Sequence, residues 1–178
     1  MLFAGRVPVF RATAFCSFHK DSLVQRLIHQ LKYKGKKEIG SYLGLLFGLT
    51  LMENIDFQSI DIILPIPLHS HKRKKRGYNQ SEAICDGIAE GMKKECNYNL
   101  LIRTIDTKTQ TKKMRYNRWE NVSQIFDVQH PEQLAGKHIL LVDDVITTGA
   151  TLESAAEILL KIPHTKVSIA GLAWANYY

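Results

Sequence analysis

The spacing of apolar residues predicts four helices. Within residues 22–35 the apolar residues recur at i, i+3, i+4 and i+7, which gives a helix one apolar face. These residues are Val24, Leu27, Ile28 and Leu31. Ser22 suits the N-cap of this helix and Gly35 its end. A second, more buried helix is expected over residues 37–52, where three glycines weaken it.

The other two helices follow polar caps. Asn79 suits the start of the third, and Glu82 three residues later completes a pair that resembles a capping box. The fourth begins at about Ala150.

Short apolar runs between these helices predict strands. Residues 60–67 are rich in isoleucine and end at prolines, as expected of a buried parallel strand. Further strands are expected at 100–103, 124–128, 138–142 and 166–174. Strands that alternate with helices indicate an α/β fold with a central, mostly parallel sheet. We interpret residues 1–178 as a single domain.

Composition and charge narrow the class of protein. The 178 residues are 45% hydrophobic and carry a net charge of +7, which favours anionic partners. Three cysteines without C-x-x-C spacing argue against a disulfide framework and against a four-cysteine zinc site. We expect no membrane span and no secretory signal, hence a cytoplasmic protein.

Candidate chemistry is concentrated where the strand at 138–142 ends. Asp143 and Asp144 follow it, and residues 145–150 lead into a helix whose first amides are unpaired. Gly149 and the hydroxyls of Thr147, Thr148 and Thr151 suit a phosphate cradle. Because carboxylates repel phosphate, the two acids need a sugar diol or a hydrated metal. A ligand with a ribose and a 5′-phosphate would bind to both the acid pair and the phosphate cradle.

Two alternatives compete for this segment. The acidic strand of a P-loop ATPase requires G-x-x-x-x-G-K-[ST] upstream, and neither Gly35-Lys36 nor Gly136-Lys137 fits that pattern. An ordinary strand with a capped helix would explain two acids alone, but not the whole block of residues 143–151.

A run of basic residues, Lys72–Arg76, follows the strand at 60–67. Such runs are usually solvated surfaces or nonspecific nucleic-acid patches. Here the run lies after a strand end, which places it on the same sheet edge as Asp143. Arg76 joined to flexible Gly77 suits a diphosphate.

Residues 143–151 resemble the phosphoribosyl-pyrophosphate (PRPP) motif of type I phosphoribosyltransferases. That resemblance implies that Asp143 and Asp144 hold the ribose and that the following loop holds the 5′-phosphate. The loop residues are Thr147, Thr148, Gly149, Ala150 and Thr151. It also implies that Arg76 and Gly77 bind the pyrophosphate, with Asp143, Asp144 and Arg76 as the catalytic residues.

The family can be narrowed further. The segments P-I-P-L-H, K-R-G-Y-N-Q-S and N-R-W-E-N-V, together with the PRPP motif, resemble the ComF (GntX, competence protein F) family over residues 12–173. Members commonly begin with a four-cysteine zinc module, which this sequence does not contain. We therefore expect no zinc and interpret residues 1–15 as the remnant of a linker to that module.

The polar stretch 104–123 is too long for a plain connector. We interpret it as a mobile hood loop that closes over PRPP, with Arg115 the side chain expected to meet phosphate. The alternative is a surface loop with Trp119 packed on the core.

These observations predict a Mg²⁺-dependent phosphoribosyl transfer from PRPP to an unknown nucleobase or amine, with release of pyrophosphate. The alternatives are a PRPP sensor without turnover and a DNA-uptake protein that binds single-stranded DNA or competence proteins. No metal ligand is assigned to a protein side chain, and a homodimer is compatible with each alternative.

Overall fold

The computed structural model describes residue 3, residues 5–104 and residues 125–175. Its strands are β1 (Arg11–Phe18), β2 (Ile62–Pro65), β3 (Glu95–Cys96), β4 (Leu101–Arg103), β5 (Phe126–Val128), β6 (His138–Ile146) and β7 (Lys166–Ala175). Its α-helices are α1 (Leu23–Tyr33), α2 (Lys37–Met52), α3 (Ile55–Gln58), α4 (Ser70–Arg76), α5 (Gln80–Met92) and α6 (Ala150–Leu159).

Five strands form the central sheet in the order β1-β7-β6-β2-β3, and each neighbouring pair is parallel. Strands β4 and β5 form a separate antiparallel ribbon. The predicted parallel α/β architecture is therefore confirmed. None of the described helices combines the length and the apolar character that crossing a membrane requires.

The sequence signals for helix ends agree well with the structure. The Ser22 side chain accepts a hydrogen bond from the Gln25 amide, and the Asn79 side chain accepts one from the Ser81 amide. In a capping box, the Glu82 side chain would accept a hydrogen bond from the Asn79 amide. Its carboxylate instead pairs with Arg73 of α4, at 3.1 Å.

Three segments differ from expectation. Residues 11–18 form the edge strand β1 beside β7, so part of the segment that we assign from the sequence to a linker remnant is paired in the sheet. The pattern does not reveal β1 because its residues are mostly half-buried and lack clear alternation. The basic run forms a short helix, α4, which the spacing of apolar residues does not predict. Residues 101–103 join the separate ribbon.

The core lies on both faces of the sheet. Ile139 and Leu141 of β6 pack in one apolar cluster with α6 and the β4–β5 ribbon. Leu140 and Val142 pack in the other, with α1, α2 and α5. A strand covered on both faces needs a continuous apolar run, which is why residues 139–142 show no alternation.

Glycines bring α2 and α5 into close contact. A Cβ added to Gly87 would overlap the Ser41 carbonyl oxygen, and one added to Gly91 would lie 2.6 Å from the Leu45 carbonyl oxygen. Gly44 and Gly48 face the α5 backbone in the same way. The glycines that weaken α2 as an isolated helix therefore permit its packing on α5, and this packing fixes the position of the α5 N-terminus.

We predict that Gly87→Ala lowers the free energy of unfolding by about 2–3 kcal/mol, because the new methyl group forces the two helix backbones apart. The matched control is Gly40→Ala in α2. Its Cβ would meet Leu31 Cδ1, the end of a flexible side chain, at 3.0 Å and Ala83 Cβ at 3.1 Å, so a shift of a few tenths of an ångström relieves the contact, and no backbone atom lies closer than 3.5 Å. The control should stay within about 1 kcal/mol of wild type, since alanine also favours the helix. Urea denaturation measures both, and equal losses would contradict the close-packing argument.

Candidate functional site

The two acids lie where β6 extends beyond its neighbour β2. The pairing of β2 with β6 ends at Pro65 opposite Val142, one residue before Asp143. On the other side, β7 continues alongside β6 as far as Trp174 opposite Ile146. Asp143 and Asp144 are thus held rigidly at the carboxyl edge of the sheet, with an open position where β2 has ended.

Asp143 is partly buried, and two donors hold its carboxylate. Its Oδ1 accepts hydrogen bonds from Ser81 Oγ at 3.1 Å and from the Asp144 amide at 2.8 Å. Burial, followed by the neighbouring charge of Asp144, raises the pKa of Asp143 to about 7. The hydrogen bonds and the charge of Lys32 act in the opposite direction. Asp143 therefore titrates near neutral pH. Above about pH 7 its side chain is an ionised carboxylate, which is a strong hydrogen-bond acceptor.

Asp144 is neutralised by a lysine from a distant helix. Lys32 of α1 places its Nζ 2.9 Å from Asp144 Oδ1, and the two side chains are only 21% and 14% exposed. A partly buried ion pair of this kind costs desolvation energy unless both charges are well paired. No local sequence pattern predicts this role of Lys32, because 112 residues separate it from Asp144.

The expected phosphate loop lies beside the acids. Thr147, Thr148, Gly149, Ala150 and Thr151 all line one cavity together with Asp143. Gly149 has φ 78° and caps the N-terminus of α6, which explains why glycine is required there. Amides at a helix N-terminus and threonine hydroxyls both suit an anion.

An arginine from the N-terminal segment supports this loop. Arg6 donates from Nη1 to the Thr148 carbonyl oxygen at 3.1 Å, and its Nη2 lies 2.5 Å from Glu153 Oε2. No sequence pattern marks Arg6, whose guanidinium joins the phosphate loop to Glu153 of α6.

The basic helix α4 contains one side chain that differs from the others. Lys72, Arg73, Lys74 and Lys75 are exposed, whereas Arg76 is partly buried. Arg76 Nη1 donates to Gln80 Oε1 at 2.6 Å, and its guanidinium lies 5.2 Å from the centre of the Tyr33 ring. Gly77 follows with φ 79°, which ends the helix and turns the chain toward α5.

These contacts connect Arg76 to both acids. Gln80 precedes Ser81, which holds Asp143, and Tyr33 follows Lys32, which holds Asp144. The structure therefore assembles the predicted ribose, phosphate and pyrophosphate residues around the end of β6. A further cation, Arg103 at the end of β4, interacts electrostatically with Asp143, although burial lowers the pKa of the arginine. Arg115 lies outside the described residues.

The raised pKa of Asp143 has a consequence for stability. The folded protein holds the Asp143 proton up to about pH 7, whereas an unfolded aspartate loses it near pH ~4. The folded state therefore binds more protons between these values, so the free energy of unfolding falls as the pH rises from about 4 to about 7. The contribution of Asp143 to the free energy of unfolding is therefore complete below the pKa of the unfolded state and lost above the pKa of the folded state.

We predict that Asp143→Asn removes this decline and is more stable than wild type at pH 8, by on the order of 1–3 kcal/mol. Near pH 4 the two proteins should be equally stable. Denaturant titrations across this pH range measure the difference, with the exposed Asp127→Asn as a control that follows wild type. An unchanged pH slope in Asp143→Asn would contradict the assignment.

Several known proteins are similar to this chain in sequence or in fold. The sequence profile of the family described as "Phosphoribosyl transferase domain" matches residues 50–176. The DNA utilization protein YhgH of Escherichia coli K12 is 33% identical over 138 residues, which are 76% of this chain and 60% of that protein. Competence protein F of Haemophilus influenzae is 27% identical over 84% of this chain and 67% of its own length. Competence protein ComFC of Bacillus subtilis is 28% identical over 79% and 55%.

The chain thus spans about 60% of the length of the E. coli relative. Among solved structures, a glutamine PRPP amidotransferase from B. subtilis superposes with a TM-score of 0.56 at 17% identity. The superposition covers 81% of this chain and 30% of the other, and it shows the shared fold. On this evidence the chain belongs to the phosphoribosyl transferase domain family and, within it, to the ComF group.

Proposed function

We propose that this chain binds PRPP and transfers its phosphoribosyl group to a nitrogenous acceptor. One observation supports the proposal: the Asp143 carboxylate and an anion-binding loop line a common cavity at the end of one strand, and Asp144 is the next residue of that strand. A ribose 5-phosphate carries a diol and a phosphate on the same small ring.

Each part of PRPP has matching groups. The ribose hydroxyls donate to Asp143 and Asp144, and the 5′-phosphate accepts from residues 147–151. The pyrophosphate meets Arg76, whose guanidinium Gln80 and Tyr33 already orient. A cation already held in position stabilises the charge on the leaving group more than a mobile cation does, because it needs no reorganisation during the reaction.

The donor set also fits Mg²⁺ brought in by the substrate. Among the residues that the structure describes, no three acidic, histidine or cysteine side chains are grouped as a metal cluster. Mg²⁺ often binds through one or two carboxylates plus substrate phosphates, and the acid pair can supply that number. When bound, the ion would neutralise charge on the diphosphate.

In the proposed reaction, the lone pair of the acceptor nitrogen forms a bond to ribose C1. The bond from C1 to the diphosphate oxygen breaks, and its electrons leave with pyrophosphate. Positive charge accumulates on the ribose and negative charge on the leaving group. Asp143 and Asp144 stabilise the first, and Arg76 stabilises the second.

We predict that Asp143→Asn/Asp144→Asn weakens PRPP binding at least about a hundredfold, since two charged hydrogen-bond acceptors are lost. Isothermal calorimetry with PRPP and Mg²⁺ measures the affinity. The control Glu53→Gln/Glu95→Gln removes two exposed carboxylates that lie far from Asp143 in sequence and should bind as wild type does. A wild-type protein that does not bind PRPP would refute the proposal.

Pyrophosphate release then separates two roles. Release in the presence of an acceptor identifies a transferase. Tight PRPP binding without release across a broad acceptor panel identifies a PRPP sensor.

A second candidate function is binding of single-stranded DNA. The exposed lysines of α4 form a basic surface next to the site, and relatives carry the printed names DNA utilization protein and competence protein. Such a surface would act through phosphate contacts and counterion release.

For this function, we predict that Lys72→Gln/Lys74→Gln/Lys75→Gln lowers the affinity for an oligothymidine about tenfold or more and flattens its salt dependence. Fluorescence anisotropy at several salt concentrations measures both. The control Lys20→Gln/Lys93→Gln/Lys161→Gln removes the same charge from exposed positions elsewhere. If both triple variants lost the same affinity for the oligothymidine, α4 would contribute only through the net charge of the protein.

A further inference from the structure

Arg6 contacts the proposed phosphate loop without lining its cavity. Its Nη1 donates to the Thr148 carbonyl oxygen at 3.1 Å, and its Nη2 lies 2.5 Å from Glu153 Oε2, in the first turn of α6. Thr148 lines the cavity that the loop shares with Asp143, whereas Arg6 is not among the described residues that line it. Because the charge of Arg6 is already paired, its effect on a ligand in this cavity is exerted through Thr148 and Glu153.

The N-terminal segment holds Arg6 in a fixed position. Phe3 and Val7 are buried and belong to the same apolar cluster as Leu152 of α6. The amides of Arg6 and Val7 both donate to the Phe3 carbonyl oxygen, at 3.1 and 3.3 Å, which closes a tight turn. Gly5 lies in this turn with φ 77°, a conformation that glycine adopts without strain. A turn anchored at both ends therefore presents the Arg6 guanidinium to the phosphate loop.

The first contact of Arg6 orients a peptide group of the loop. The Thr148 carbonyl and the Gly149 amide belong to one planar peptide unit, in which the C=O and the N–H point in opposite directions. Because the carbonyl oxygen is held toward Arg6, the Gly149 N–H points away from Arg6. Anion-binding loops present N–H groups to the ligand, and a carbonyl oxygen in the same place would repel a phosphate. The Arg6 hydrogen bond thus opposes rotation of this peptide unit into the orientation that disfavours an anion.

The second contact withholds a competing carboxylate. Glu153 lies in the first turn of α6, and the positive end of a helix attracts carboxylates. The first amides of a helix have no helical acceptors, and the N-cap residue Gly149 offers them no side chain. A Glu153 carboxylate turned toward these amides would occupy donors that the phosphate needs and would repel its charge. In the structure this carboxylate is paired with Arg6 and is 17% exposed.

We infer that Arg6 is a positioning residue for the 5′-phosphate: it orients the peptide unit between Thr148 and Gly149 and keeps the Glu153 carboxylate away from the first amides of α6. The inference rests on the proposed function, because it concerns the loop assigned to the 5′-phosphate of PRPP. It gives the N-terminal segment, which precedes the sheet, a role in ligand affinity.

Isothermal calorimetry on the full chain tests this role, with PRPP and Mg²⁺ as one probe and ribose 5-phosphate as the other. We expect Arg6→Met to weaken both about tenfold, because both carry the 5′-phosphate. The matched control is Arg11→Met, which removes the same charge and an ion pair of similar length, to Asp56 at 2.6 Å. Arg11 is the first residue of β1, at the amino edge of the parallel sheet, so this variant should bind as wild type does.

A double-mutant cycle separates positioning from stability and from net charge. Glu153→Gln should raise the affinity for PRPP at least about threefold more in the Arg6→Met background than in wild type, because only there is the carboxylate free to compete. A role limited to folding predicts no such rescue, since the second substitution restores no contact. Urea denaturation establishes that each variant is folded at the temperature of the titration.

The outcomes distinguish this inference from the proposed function. Wild-type protein that binds PRPP, together with an Arg6→Met variant of equal affinity, overturns the role of Arg6 alone. Equal gains from Glu153→Gln in both backgrounds, or an equal loss in Arg11→Met, reduce the effect to net charge and also overturn it. Failure of wild type to bind PRPP removes the proposed function itself.

Discussion

Two carboxylates at the end of a buried strand impose the main constraint on this structure. Neighbouring acids repel each other, and burial makes the charged form of each less favourable. Ser81 and the Asp144 amide stabilise one carboxylate, and Lys32 stabilises the other. Even so, the pKa of Asp143 is raised to about 7. Such a pair is costly to keep, and perturbed carboxylates of this kind concentrate at sites that bind or react.

The rest of the fold delivers the groups that this pair needs. Close contact between α2 and α5 through glycines fixes the first turn of α5, which supplies Ser81. Helix α1 packs in the same apolar cluster and supplies Lys32. Because these donors come from rigid helices, the acids are held in one geometry before any ligand arrives. Preorganisation of this kind lowers the cost of binding and of charge development.

The basic helix has two faces with different surroundings. Arg76 turns inward, where Gln80 and Tyr33 hold it, and the lysines remain in solvent. Under the two proposed functions, Arg76 would meet a diphosphate and the lysines a longer polyanion, so the same side chains would not serve both. This arrangement reconciles a phosphoribosyl transferase fold with relatives whose names refer to DNA utilization and competence.

The sequence by itself determined the parallel α/β class, helices α1, α2, α5 and α6, and the acid and threonine block that follows a buried strand. These features are local, because periodicity, caps and contiguous motifs depend on neighbours within a few residues. Only the tertiary structure decided that β1 joins the sheet and that Lys32 and Ser81 hold the acids. Those contacts span 112 and 62 residues, and no local pattern records which distant side chain meets a given carboxylate. Arg6 likewise reaches Thr148 across 142 residues only because the N-terminal segment packs in one apolar cluster with α6, where chain segments far apart in sequence become neighbours.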